Sequence, residues 1–166
     1  VKWLPVIAAI LFSGLMKTSE AQAQESSHQP EVQAFFAPLV SYTTGVDDTI
    51  PMGGLRLSTV IGKGYIEYTL ATGAGHGVTY QIMAVDFRLG TDFMGFNVFG
   101  TLGLNFDYYH MKPSSGSNES QFGNGFHFAG GFTIPLAPQV TMRADFQERF
   151  GPGRSLWVML GPAVEF

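Results

Sequence analysis

Phe96-Asn97-Val98-Phe99-Gly100-Thr101-Leu102-Gly103-Leu104-Asn105-Phe106-Asp107-Tyr108 is the stretch on which the fold turns. Phe96, Val98, Leu102, Leu104, Phe106 and Tyr108 share one parity, interrupted by Gly100, while Asn97, Phe99, Thr101, Gly103, Asn105 and Asp107 share the other. Alternation of this kind belongs to a strand, whose successive side chains point to opposite faces. Ordinary strands run to about five or six residues, and a longer one suits a tilted membrane crossing. A strand here predicts an apolar face turned to lipid and a polar face turned to a lumen.

The same period recurs downstream. Val140, Met142, Ala144, Phe146 and Phe150 alternate with Thr141, Arg143, Asp145, Gln147 and Arg149, and Glu148 breaks the apolar parity close to the strand end. Phe126, Phe128, Phe132 and Ile134 oppose Gly125, His127, Ala129, Gly131 and Thr133; Leu156, Val158, Leu160, Val164 and Phe166 form the last apolar face. Upstream, residues 32 to 43, 54 to 61, 64 to 72 and 78 to 89 have strand composition. Facing is ambiguous in the first and fourth of these, where a bulge would shift the phase. Eight segments result, and the expected fold is all-β: an eight-stranded antiparallel up-and-down transmembrane β-barrel. Tight turns are expected at Gly62-Lys63-Gly64, Gly90-Thr91-Asp92 and Pro135 to Pro138. The opposite end would carry residues 44 to 53, Gly73 to Gly77, 110 to 125 and Gly151 to Arg154. The third is the longest, and Pro113, Ser114, Ser115, Gly116, Ser117 and Asn118 make it a polar surface loop.

The N-terminus reads as an address. Lys2 precedes a mostly apolar run from Leu4 to Met16, and Ala21-Gln22-Ala23 supplies a small-x-small cleavage pattern. Residues 1–23 are expected to be a signal peptide and 24–166 the barrel domain. The run is too short and too broken, by Pro5, Ser13 and Gly14, to span a bilayer as a helix. Composition agrees with export to a membrane: charged residues are 13% of the chain, against about 25% in soluble domains. Removing Lys2, Lys17 and Glu20 leaves 7 basic and 12 acidic groups, a net charge of −5, which speaks against a nucleic-acid partner. There is no cysteine, hence no disulfide framework and no thiolate metal site.

Gly130-Gly131-Phe132, Pro135 to Pro138, Met142-Arg143-Ala144-Asp145-Phe146 and Gly161 to Phe166 together resemble the C-terminal ends of small outer-membrane β-barrel families, typified by the OmpA transmembrane domain and the opacity-type proteins. The resemblance covers about a quarter of the chain after the signal. It implies residence in the outer membrane among lipid and lipopolysaccharide, and recognition by the barrel-assembly machinery through Phe166, Val164, Leu160 and Val158. Pro162, in the fourth place before the end, departs from that signal.

The chemistry-bearing residues are few. His127-Phe128-Ala129 sits where a lipid A deacylase carries a His-x-Ser pair, but the serine is missing, so His127 reads as a lumen residue. Asp107, His110, Asp47 and Asp48 have no ligand spacing behind them and read as solvated groups. Gly73-Ala74-Gly75-His76-Gly77 lacks the Lys-Ser/Thr that a phosphate loop requires. No cofactor is implied. The inward-parity charges carry more weight: Arg56, Glu67, Asp107, Arg143, Asp145 and Arg149 are expected to pair in a narrow lumen, joined by Asp86 and Arg88 if the fourth strand keeps phase. An eight-stranded barrel is just wide enough for side chains to fill it. The expected function is a non-enzymatic envelope barrel displaying surface loops. The alternatives are a narrow pore for small or apolar solutes, a lipopolysaccharide-modifying enzyme, and a soluble lipocalin-type barrel with its apolar face inward.

Overall fold

The computed structural model describes residues 29–41, 49–75, 77–111, 119–151 and 154–166. Outside them lie the expected signal peptide, Asp47 and Asp48, His76 and the loop residues Pro113 to Asn118. Eight strands follow one another: β1 (Glu31–Ser41), β2 (Thr49–Ile61), β3 (Gly64–Gly75), β4 (Val78–Phe93), β5 (Phe96–Met111), β6 (Glu119–Ala137), β7 (Val140–Phe150) and β8 (Ser155–Glu165). Each pairs antiparallel with the next, and β8 returns to β1, so the sheet closes as an up-and-down barrel. Closure leaves no free sheet edge.

Parity assigns every strand a face. In β5, Thr101, Asn105 and Asp107 are buried inside while Leu102, at 64% exposure, Leu104, Phe106 and Tyr108 look out. β7 buries Arg143, Asp145, Gln147 and Arg149 and exposes Phe146. The outer surface is thus apolar nearly all round, with Phe36, Leu55, Leu70, Met83, Phe87, Phe128 and Leu160 exposed, and fully buried arginine lies within. That arrangement is the reverse of a lipocalin-type barrel. β1 and β4 were ambiguous because both of their faces are apolar: Phe35 and Ala37 point inward from β1, as do Tyr80, Ile82 and Ala84 from β4. No bulge is involved in either, since the β1–β2 register runs unbroken from Glu31–Ser58 to Val40–Thr49 and the β4–β5 register from Val78–Met111 to Phe93–Phe96.

Several turns and loop ends differ from the sequence reading. Gly90, Thr91 and Asp92 lie inside β4, and the chain reverses instead at Met94-Gly95, both at positive φ (51° and 88°). Two successive positive φ values make the primed turn that matches strand twist. A Cβ at Gly90 would crowd the Asn97 side-chain amide first and then Phe99 Cβ, so the glycine serves close approach across the ladder. Likewise Pro135 to Ala137 belong to β6, with a register shift between Pro135 and Ala137, and the turn is Pro138-Gln139. A bulge is one of the few places where a sheet accepts proline. At the opposite end the strands outrun the expected loops: Thr49 to Gly53 open β2, His110 and Met111 end β5, and Glu119 to Gly125 begin β6. One end of the barrel therefore holds the short turns and the termini of β1 and β8, and the other holds the remaining connections. They are called here the turn end and the loop end.

The lumen as candidate functional site

Because β2, β3 and β7 bring inward charges to the same height, the turn-end half of the lumen is an ion cluster. Arg143, on β7, donates to Glu67 Oε1 at 2.6 Å and Oε2 at 2.9 Å, to Asp145 Oδ1 at 3.0 Å and to Glu31 Oε1 at 3.0 Å. Arg56, on β2, donates to Asp145 Oδ2 at 2.8 Å, to Gln33 Oε1 at 2.9 Å and to Thr69 Oγ1 at 3.1 Å. Arg88, on β4, forms ion pairs with Glu31 at 3.1 Å and Glu67 at 3.0 Å without hydrogen-bond alignment. Ser58 donates to Glu67 at 2.9 Å. Three arginines thus face three carboxylates, Glu31, Glu67 and Asp145, and the cluster carries no net charge. Phe99 closes one side, with the Arg143 guanidinium 4.3 Å from its ring centre; Tyr65 lies 4.0 Å from that of Arg88. Burial of charge on this scale is tolerated only when each group is met by partners.

A second chain of polar contacts climbs the β4–β7 side. Asp86 pairs with His127 Nε2, His127 Nδ1 lies 3.4 Å from Asn105 Oδ1, and Asn105 donates to Asp107 at 3.0 Å. Asp107 in turn pairs with Arg149, whose guanidinium reaches the Tyr80 hydroxyl at 3.4 Å, and Tyr80 meets Tyr109 at 3.1 Å. The structure therefore divides the charges singled out in the sequence. Arg56, Glu67, Arg143 and Asp145 meet in the lower cluster, whereas Asp107 and Arg149 form a separate pair nearer the loop end. Asp107 does not touch His110, whose ring pairs with Ser120 at 2.9 Å. His127 is wholly buried, held between Asp86 and Asn105.

Sequence reasoning missed two things. Glu31 was left outside the first segment, and its signal was its parity with Gln33, both buried inward. It also missed an apolar compartment at the loop end, where Phe35, Ala37, Met52, Ala71, Tyr80, Ile82, Trp157 and Met159 pack together. A period-two search that sorts faces by polarity cannot see an inward face that is itself apolar.

Among solved structures, Neisserial surface protein A aligns over 82% of this chain and 97% of its own, with a TM-score of 0.73 and 13% identity. The fold is that of the small eight-stranded outer-membrane barrels. The N-terminal β-barrel domain of Pseudomonas aeruginosa OprF aligns with a TM-score of 0.67 at 15% identity, covering 83% and 97% of the two chains. Ail, the attachment invasion locus protein of Yersinia pestis, gives 0.56 at 11% identity, with the same coverage. No protein-family model and no curated protein matches the sequence. At these identities the likeness is one of fold.

The remaining expected positions are on the outside. Val158, Leu160, Val164 and Phe166 all face outward on or beside β8, Phe166 at 62% exposure, and the Phe166 N–H donates to the Pro30 carbonyl at 3.0 Å. Pro162 faces outward among them. Glu148, the charge that breaks the outward parity of β7, pairs with Arg154 at the loop end.

Proposed function

We propose that this chain is exported by the segment 1–23, inserted in the outer membrane, and serves there as a non-enzymatic envelope barrel that presents its loop end outside the cell. One observation carries the reading: large apolar side chains cover the outside while a neutral cluster of three arginines and three carboxylates fills the inside. Only a hydrocarbon surrounding stabilises that inversion. Aromatic pairs on the outer face support it. Phe126 stacks on Phe150 at 5.0 Å towards the loop end, and Phe93 meets Phe96 edge-on at 5.7 Å at the turn end. These are the two heights at which membrane barrels carry aromatic girdles. Lipid and lipopolysaccharide are the partners of that surface. The outward set Val158, Leu160, Val164 and Phe166 is offered to the assembly machinery, with Pro162 as a tolerated departure.

The filled lumen argues for a closed barrel. An arginine bound to three carboxylates cannot step aside without leaving buried charge unpaired, so ions have no path along the axis. Two of the similar structures are described as a surface protein and as an attachment invasion locus protein, and contact with other surfaces through the loops is the role proposed here. Reconstitution tests the reading. The protein should co-float with lipid vesicles, migrate differently before and after boiling, and show no unitary conductance in planar bilayers. Recovery in a salt-washed soluble fraction would overturn the membrane reading, and stepwise conductance would overturn the closed lumen in favour of a pore.

A further inference from the structure

Closure leaves no edge where all eight ladders run side by side, but β6 stands taller than β7. It pairs with β5 without a break from Met111–Glu119 down to Asn97–Thr133, whereas its pairing with β7 begins only at Phe126–Phe150. β7 ends at Phe150 and β8 starts at Ser155, so Glu119 to Gly125 rise above the β7–β8 side of the wall. At about 3.4 Å per residue the exposed edge is roughly 20 Å long. Its backbone parity is fixed from below. The Glu165 N–H donates to Gln139 at 2.9 Å, one step beyond the Val140–Val164 pair of the β7–β8 register. Backbone groups alternate in direction along a strand, so odd-numbered residues of β7 face β8 and even-numbered ones face β6. Between β6 and β7, even pairs with even above the register shift. Ser120 and Phe122 therefore direct their N–H and C=O groups to the side on which β7 stops short, and no backbone partner meets them there among the described residues. Gln121 and Gly123 direct theirs to β5.

Proteins ordinarily blunt a sheet edge with lysine, proline or a bulge. Glu119 to Gly125 contain neither lysine nor proline, and their register with β5 has no bulge. The edge is also held in place. Phe122 stacks on Phe106 with ring centres 6.5 Å apart, and the Ser120 hydroxyl accepts from Tyr108 at 3.2 Å and pairs with His110 at 2.9 Å. A preorganised edge lowers the entropic cost of adding a strand. Backbone donors and acceptors that recur at every second residue are matched by another extended backbone. A second copy in the same bilayer does not fit. Antiparallel pairing of one edge with itself needs a two-fold axis perpendicular to the sheet, hence in the plane of the bilayer, whereas copies standing side by side are related by an axis along its normal. Parallel self-pairing needs an axis along the strand, which tilts about 35–45° from the barrel axis.

We propose that the β6 edge from Glu119 to Asn124 takes up, by antiparallel strand addition, an extended polypeptide segment of a partner outside the cell. Phe122, 67% exposed, favours a β-branched or aromatic residue opposite it, Ser120 favours serine or threonine, and Glu119 favours a basic residue. The proposal rests on the reading above for its place outside the cell, and it names the kind of partner that the loop end contacts.

The probe is the peptide Thr-Ser-Val-Thr-Thr-Lys, whose valine would lie opposite Phe122 and whose lysine opposite Glu119, added to the folded barrel in detergent micelles. Amide hydrogen exchange, followed by NMR, reads the pairing. In the protein alone Gln121 and Gly123 should be protected and Ser120 and Phe122 should not; saturating peptide should slow exchange at Ser120 and Phe122 by about tenfold or more. N-methylation of the peptide's valine, whose amide would face β6, should weaken binding about tenfold. Phe122→Pro should do the same, since it removes an edge donor and leaves the β5 ladder intact. Should that variant fail to give a heat-modifiable band, the N-methylated peptide decides alone. Binding that leaves Ser120 and Phe122 unprotected, binding that N-methylation does not weaken, or no binding overturns the proposal. So does protection without peptide, which would assign the edge to the chain itself or, where it grows with protein concentration, to a second copy. Labelled peptide should also bind intact cells. Binding only after permeabilisation keeps the edge as the docking site and overturns the orientation proposed above.

Discussion

At the scale of single residues the barrel is governed by Arg143. Its guanidinium is fully buried and bound to Glu31, Glu67 and Asp145 together, so its removal leaves those three carboxylates to two arginines, Arg56 and Arg88, and unbalances the charge of the buried cluster. Arg143→Ala should cost about 3–5 kcal/mol, the price of breaking a buried pair, read as a lower urea midpoint for the folded band on unboiled gels. Arg154→Ala makes the contrast. That side chain is 62% exposed, with an ion pair to Glu148 and its guanidinium 5.4 Å from the Phe150 ring centre, and its loss should fall within about 0–1 kcal/mol. Equal losses for the two variants would show that the cluster is not held by charge pairing. Much at this scale was legible: Arg56, Glu67, Asp145 and Arg143 share the parity opposite to their apolar neighbours, and period two is all that is needed to place them inside. Which of them meet was not legible, because strand register decides that. Asp107 and Arg149 stand on strands whose pairing lifts them towards Tyr80 and away from the lower cluster.

At the scale of elements, strand existence was easier to read than strand ends. Gly90-Thr91-Asp92 has turn composition and is nevertheless strand, whereas Met94-Gly95 lacks the usual Asn-Gly signature and turns. Local chemistry proposes a reversal, but pairing partners such as Phe99 opposite Gly90 decide where it falls. β1 and β4 were unreadable for a different reason, since Phe35, Tyr80 and Ile82 make their inner faces as apolar as their outer ones. Two predictions test the outer faces. Leu104 is mid-strand in β5 and 57% exposed; Leu104→Arg should destabilise by about 2–4 kcal/mol if that position lies at the bilayer midplane. On a water-facing surface the same change would stay within about 0.5 kcal/mol, so the unfolding midpoint in phospholipid vesicles distinguishes the two surroundings. Deleting Phe166 removes an outward ring and the amide that bonds Pro30. It should lower the amount of heat-modifiable protein in the outer membrane while leaving the periplasmic, signal-cleaved precursor pool intact or enlarged. Equal assembled amounts would show that β8 closes the barrel without that signal.

At the scale of the whole molecule the two ends differ in kind, and on the proposed membrane reading that difference sets the direction in which the barrel should face. The turn end has two-residue reversals at Gly62-Lys63, Met94-Gly95 and Pro138-Gln139, together with both strand termini. Every longer connection is at the loop end. Outer-membrane barrels place short turns towards the periplasm and long loops outside, and a chain exported by its N-terminus arrives from the periplasmic side, where β1 starts and β8 ends. On the proposed membrane reading the loop end is expected outside the cell, and its two longest connections, β1 to β2 between Ser41 and Thr49 and β5 to β6 between Met111 and Glu119, are of equal length. The sequence of the second, Pro113-Ser114-Ser115-Gly116-Ser117-Asn118, is polar and rich in turn formers. The flanking strands tolerate a change there because they are tied to each other below it, by the ladder from His110–Ser120 down to Asn97–Thr133 and by the Tyr108 and His110 contacts to the Ser120 hydroxyl. An epitope inserted after Ser115 should therefore leave the heat-modifiable band unchanged and be labelled by antibody on intact cells. An epitope placed between Gly62 and Lys63 should be labelled only after the outer membrane is permeabilised. The reverse pattern would invert the orientation and assign the contact surface to the turn end. Labelling of both without permeabilisation would place the barrel outside the membrane altogether.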